Sequence, residues 1–309
     1  MKHLAPALLL AAGLGQPALA LDLGSGFALT GEVQLEYADF AGNPSNGIFT
    51  DLTLGWRSQR DSGFGIGADV SFVDQRNMGN DIDRTALWGG LVLGSDQVEV
   101  TIGRPRSLIQ TMLPVPEAGG FKRIFVRPNL RMEGRGFVED LDLSGVALKG
   151  KVGDLAFGAL SSKERIPGFF DIEYAEIVLQ YTLNRLTLSG AWERSDILGI
   201  DFDITRRYVG ADYAGDGWSI GVQGVDEDYS SNFAFDIDAV YAYGEIDLAE
   251  DWTAGLQYAE LRISTSKNRS YGATLEYSPV AGSFAQVGLY QILDRDVDRY
   301  LSASLGYRF

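Results

Sequence analysis

From Glu32 onward the chain alternates apolar and polar residues with a period of two. Val33, Leu35 and Tyr37 share one face of the first segment, and Glu32, Gln34 and Glu36 share the other. Leu52, Leu54 and Trp56 oppose Asp51, Thr53 and Arg57; Phe64, Ile66, Ala68, Val70 and Phe72 oppose Gly67, Asp69 and Ser71. Val98, Val100 and Ile102 stand against Glu99 and Thr101, and Ala175, Ile177, Leu179 and Tyr181 against Glu176 and Gln180. Segments starting near Leu186, Trp252 and Tyr271 follow the same rule. This period predicts β-strands with one apolar face. The segments run about ten residues, the length of a tilted membrane strand rather than the ~5–6 of a soluble sheet. Their apolar faces often end in Trp or Tyr, the rings a membrane interface selects. A soluble antiparallel sandwich would also alternate. Here, however, the polar faces carry charges and glycines instead of a second buried layer. A sheet that crosses a membrane has to satisfy every backbone group, so it closes on itself.

Turn signals give the strand number. Clusters of Gly, Asp, Asn and Ser, which tolerate turn geometry, centre near residues 61, 95, 152, 184, 216, 250 and 280. They fall 30 to 34 residues apart, except for one gap of 57. A near-constant interval means one repeated unit of strand, longer loop, strand and short turn. Eight such units predict an all-β, closed antiparallel barrel of sixteen strands, a number that leaves a water-filled bore. Longer connections are expected on the opposite rim, at 39–46, 74–84, 161–170, 194–202, 225–233, 264–269 and 293–299. Short turns on one rim and long loops on the other is the outer-membrane pattern.

The one long gap contains 104–135, RPRSLIQTMLPVPEAGGFKRIFVRPNLRMEGR, which keeps no period of two. Arg104, Arg106, Lys122, Arg123, Arg127, Arg131 and Arg135 stand against Glu117 and Glu133, a net +5. The whole chain has a net charge of −16. A loop this long in a compact architecture is functional or disordered. The reading taken is that it folds into the lumen and sets what passes; the alternative is a solvated surface loop.

Composition narrows the function. Met1-Lys2-His3, an apolar run from Leu4 to Leu14 and Ala18-Leu19-Ala20 form a secretory signal peptide at 1–20, too short in its apolar run to span a bilayer. Residues 21–309 are then one barrel domain. There is no cysteine, and the only histidine is His3, which leaves with the signal. A Ser-His-Asp triad, a histidine base and a His-ligated zinc are therefore excluded, and no G-x-S-x-G elbow is present. The acidic balance argues against nucleic acid. The 38 glycines of 309 residues exceed the ~7% average, which suits close-packed strands. Asp226-Glu227-Asp228 and Asp294, Asp296 and Asp298 group carboxylates that suit calcium, or bridging to lipid phosphates; solvated acidic loops are the other reading. No other cofactor is expected.

The last segment, Leu301-Ser-Ala303-Ser-Leu305-Gly-Tyr307-Arg-Phe309, ends on phenylalanine. It resembles the closing strand of Gram-negative outer-membrane proteins, and the whole chain resembles the general porins. Pro116-Glu117-Ala118-Gly119-Gly120 resembles the Pro-Glu-x-Gly-Gly motif of their third loop, after the fifth strand. The resemblance implies a homotrimer in outer-membrane lipid and lipopolysaccharide. It also implies recognition of Phe309 and Tyr307 by the barrel-assembly machinery, and a position for Glu117 near the eyelet. The chain departs from the family in that its loop is mostly basic. Inward wall positions include Glu32, Asp51, Asp69 and Glu99, so a transverse field could survive with reversed poles. Glu117 could instead face the loop's own arginines, or those arginines could pin the loop to wall acids. The function expected is passive diffusion of small hydrophilic solutes and ions. The alternative is an anion- or phosphate-ester-selective channel built on 104–135, and a closed adhesive barrel is a further class.

Overall fold

The computed structural model describes residues 20–40, 42–58, 63–78, 84–113, 142–165, 171–199, 202–230, 237–293 and 299–309. Its strands are β1 (Leu21–Gly24), β2 (Phe27–Phe40), β3 (Asn43–Arg57), β4 (Phe64–Met78), β5 (Arg84–Ser95) and β6 (Val98–Arg104). After a short helix, α1 (Leu108–Met112), come β7 (Asp142–Val152), β8 (Leu155–Arg165), β9 (Asp171–Leu183), β10 (Leu186–Leu198), β11 (Phe202–Ala214) and β12 (Trp218–Tyr229). The last are β13 (Ile237–Ala249), β14 (Trp252–Ile263), β15 (Ser266–Tyr277), β16 (Ser283–Ile292) and β17 (Arg299–Arg308).

From β2 on, each strand pairs antiparallel with the next. β17 then returns to β2, with Leu305 opposite Leu35 and Arg308 opposite Glu32. Sixteen strands therefore close a ring with no open edge, which is what lipid demands of a spanning sheet. The stub β1 was not expected. It folds back on the start of β2, with Leu21 opposite Leu29, beyond the point where β17 stops.

The two faces are those the alternation predicts. Leu91, Val209 and Leu256 are 66%, 67% and 69% exposed, and a ring of exposed apolar side chains around a closed barrel is a lipid-facing surface. Glu176, Glu193 and Gln34 point the other way and are buried inside. At the short-turn rim the outer face carries paired rings, Tyr213 with Trp218 at 5.4 Å and Trp252 with Tyr277 at 4.7 Å. Among the described residues no helix is long and apolar enough to cross a membrane.

All seven expected short turns separate consecutive strands. The β9–β10 turn illustrates the chemistry: Asn184 takes φ 55°, a left-handed conformation that asparagine tolerates. The opposite rim corrects the expectation. β14 and β15 are joined at Ser264 and Thr265, and Phe40 already faces Asn43 across β2 and β3. β8, β10, β12 and β15 run through much of 161–165, 194–198, 225–229 and 266–269. Those stretches were read as loops because they are charged. They stay extended because the charges pair across strands above the apolar belt. Arg207 meets Asp226 and Asp228 at 2.6 Å each, and Lys267 meets Glu260 at 2.7 Å. Lys163, hydrogen-bonded to Asp171 on this rim, holds that carboxyl below its ordinary range.

Candidate functional site

The chain leaves the wall at Gly103. Its φ is 142°, and a Cβ there would lie 2.8 Å from the Gly89 carbonyl oxygen and 2.9 Å from the Gly90 Cα. Only glycine fits so close to another strand in that conformation, and the departure comes after β6, the fifth strand of the ring. Pro105 and Arg106 then carry the chain inward. The Arg106 guanidinium makes two bonds to Asp51 of β3, 2.8 and 2.6 Å, and lies over the Trp88 ring at 5.2 Å. Trp88 belongs to a buried apolar patch with Phe49, Val73 and Ala86 on the inner face of β3–β5.

Next comes α1. Ser107 caps it, its Oγ accepting from the Gln110 amide at 3.4 Å. Leu113, the last residue before Pro114, leaves the helical region at φ −121° and ψ 60°, as a residue preceding proline tends to. One strand holds both ends of the helix. A Glu176 carboxylate oxygen, buried on β9, accepts from Ser107 Oγ at 3.1 Å, Leu108 N at 2.8 Å and Ile109 N at 3.3 Å. Four residues on, the Gln180 amide donates to the Met112 carbonyl at 2.6 Å. A negative charge at the N-terminal end satisfies orphan amides and suits the helix dipole.

The body of α1 is anchored by apolar contact. Leu108, Ile109 and Leu113 are buried against Ala147, Leu160, Val178 and Tyr208, with Met112, Ala191 and Val225 at the margin. These wall residues lie on inward positions of β7–β12. Gly158 on β8 leaves the space: a Cβ there would stand 2.9 Å from Leu108 Cδ1 and 3.0 Å from Met112 Sδ. Within 104–113 the surface-loop alternative is thus ruled out, since this stretch lies inside the barrel.

The inward acids named from the sequence are all engaged. Arg57 of β3 binds Asp69 through both terminal nitrogens, 2.6 and 2.9 Å, and Glu99 through Nε at 3.2 Å. Arg308 of β17 binds Glu276 at 2.6 and 2.8 Å and reaches Glu32 at 3.6 Å. Among the described residues, Asp51 takes a base from the inward segment, Arg106. Glu32, Asp69 and Glu99 are each met by an arginine of the wall itself, and the expected face-off between these acids and the basic residues 122–135 lies outside the described residues. Arg104 closes β6 at the root of the segment. Glu117, Lys122, Arg123, Arg127, Arg131 and Arg135 lie outside the described residues, as do residues 1–19, where a signal peptide was expected, and Asp294, Asp296 and Asp298.

Arg206 and Glu193 were not singled out in the sequence. Arg206 on β11 sits in register between Glu193 of β10 and Glu227 of β12, pairs with both, and is almost wholly buried. This separates Glu227 from its neighbours: it faces the lumen, while Asp226 and Asp228 face outward, so the three carboxylates do not converge on one ion. Tyr307 stacks edge-on against Phe309 at 5.0 Å, and the Phe309 amide donates to Gly31 O at 2.8 Å.

No protein-family model matches the sequence, and no curated protein is similar to it. Solved structures are similar in fold. A triple-substituted porin of Rh. blastica superposes with a TM-score of 0.65 at 14% identity, covering 92% of this chain and 100% of that one. A structure solved in work on asymmetric conductivity of engineered proteins gives 0.64 at 14%, again over 92% and 100%. An outer membrane protein of Vibrio cholerae, OmpT with its loop L8 deleted, gives 0.65 at 14% over 92% and 99%. With its ring closed between β17 and β2 and its fifth ring strand feeding a segment inward, the chain has the sixteen-stranded fold of the outer-membrane porins.

Proposed function

We propose that the chain is a passive diffusion channel for small hydrophilic solutes and ions across the bacterial outer membrane, narrowed by the segment 104–135. One observation carries this reading. The first ten residues of the segment, 104–113, enter a closed, polar-walled barrel after Gly103 and are fixed to the inner wall through Arg106, Glu176 and Gln180. A fixed obstacle in a wide bore makes a sieve of constant size, and charges on it act across a narrow gap where few screening ions fit. The channel reading needs no cofactor and no catalytic group. Phe309 and Tyr307 serve as its assembly signal, and the barrels stand in the membrane as trimers among lipid and lipopolysaccharide.

The test is a planar-bilayer recording in a salt gradient. Stepwise conductance is expected. In open water the segment's charges would be screened within about 8 Å and hardly felt, whereas inside the bore they are felt. Arg123→Glu with Arg127→Glu is therefore expected to move the reversal potential towards cations, most at low salt. Asp294→Lys with Asp296→Lys, outside the segment, should move it much less. Equal small shifts from both pairs would remove the segment from the constriction. A folded barrel without conductance would favour an adhesive or structural role.

A further inference from the structure

The wall has a second basic feature, on the strand next to β6 and towards the short-turn mouth. β7 carries Lys149 and Lys151 on inward positions near the short-turn mouth, two residues and so about 7 Å apart along the strand. Both side chains are exposed, and among the described residues neither ammonium group makes a hydrogen bond or an ion pair. Glu99 stands directly opposite Lys149 in the β6–β7 ladder. Its carboxylate nevertheless turns to Arg57, three strands along the wall, which also holds Asp69. One arginine thus occupies both Glu99 and Asp69.

The lysines line a cavity of about 630 Å³ with Arg57, Glu99 and the β5–β6 turn. The hydroxyls of Ser58 and Ser95 also line it. Each already accepts a backbone N–H, Ser58 from Ile66 at 3.1 Å and Ser95 from Val98 at 3.3 Å, which leaves its O–H to donate. Asp96 in the turn is the opposing charge. The hollow is open to solvent, and its volume is far larger than a bare ion needs.

We propose that this cavity is a binding station for small solutes with a doubly charged oxyanion group on a polar body, such as a sugar phosphate, on the side of the barrel where the short turns lie. Lys149 and Lys151 hold the anionic group, and the two serine hydroxyls donate to the rest of the solute. The station rests on the channel reading, since solute reaches it through the bore or its mouth. None of its lining residues belongs to 104–135. It would give the pore a sidedness that a symmetric sieve lacks.

Single channels in potassium chloride provide the test, with hexose 6-phosphate added first on one side and then on the other. The expected result is current block by millimolar hexose phosphate, stronger from the short-turn side, and little block by the free hexose. A dicarboxylate of similar size separates charge from phosphate geometry, and block by both would assign the station to dianions in general. Lys149→Gln with Lys151→Gln should weaken the block about tenfold, as expected for loss of hydrogen bonds to charged groups. Asp96→Asn should strengthen it. The barrel state of each variant is read from heat-modifiable migration. Block unchanged in the double lysine variant, equal from both sides, or matched by free hexose would overturn the station while leaving the channel intact. A folded wild-type barrel with no potassium chloride current would overturn the channel reading, and the station with it.

Discussion

At the scale of single residues the most consequential side chain is Glu176. Three donors from the start of α1 converge on one of its oxygens inside the barrel. Truncation to alanine strands two buried amides, at about 1–3 kcal/mol for each unsatisfied group. Glu176→Ala is expected to lower the temperature at which the barrel changes its migration in detergent and to make the open-channel current noisier. Glu176→Gln, which keeps an acceptor, should lie between. A variant with unaltered current and melting would mean that the apolar contacts of α1 hold it alone. Alternation in the sequence was enough to put Glu176, Gln180, Asp51 and Asp69 inside. It could not assign their partners, because partner choice is made in three dimensions. Glu99 shows this: its direct neighbour across the ladder is Lys149, yet it binds Arg57.

At the scale of elements, the short turns were legible because glycine and asparagine at 153, 184 and 217 take positive φ, which few other residues do cheaply. The opposite rim was misread because charge was taken to mean loop. On a barrel an extended strand can carry charge on its outer face once it rises above the lipid, provided the neighbouring strand brings the opposite sign. α1 was not legible either. Five residues are too few to show a helical period, and its cap and anchors come from β9, far away in sequence. The closing strand was legible, and its role can be tested. β17 completes the ring through its ladder with β2, the Arg308 contacts to Glu276 and Glu32, and the Phe309 amide bond to Gly31. Deleting Phe309 is expected to leave unfolded, protease-sensitive chain in the periplasm. Ordinary yields of heat-modifiable barrel after that deletion would show that the terminal residue is dispensable.

At the scale of the whole molecule the outer surface is uneven. On β8–β15 the outward positions beyond the apolar belt carry ion pairs such as Arg207 with Asp226 and Arg262 with Glu260. The trimer reading comes from likeness to the porins as a class, and its check is a mass measurement of the purified barrel in gentle detergent. Three copies are expected, and monomer alone would count against it. A further consequence follows from the dry patch under α1. Withdrawing the helix would expose Leu108, Ile109 and Leu113, at about 1.5–3 kcal/mol for each, and at least about 4.5 kcal/mol together. At about 1.4 kcal/mol per tenfold, the withdrawn form is rarer than roughly one molecule in a thousand. On the channel reading, the inner root of the segment is then no stop valve, and a cell that needs its envelope less leaky would have to make fewer copies of the protein, because α1 stays in place in those already made.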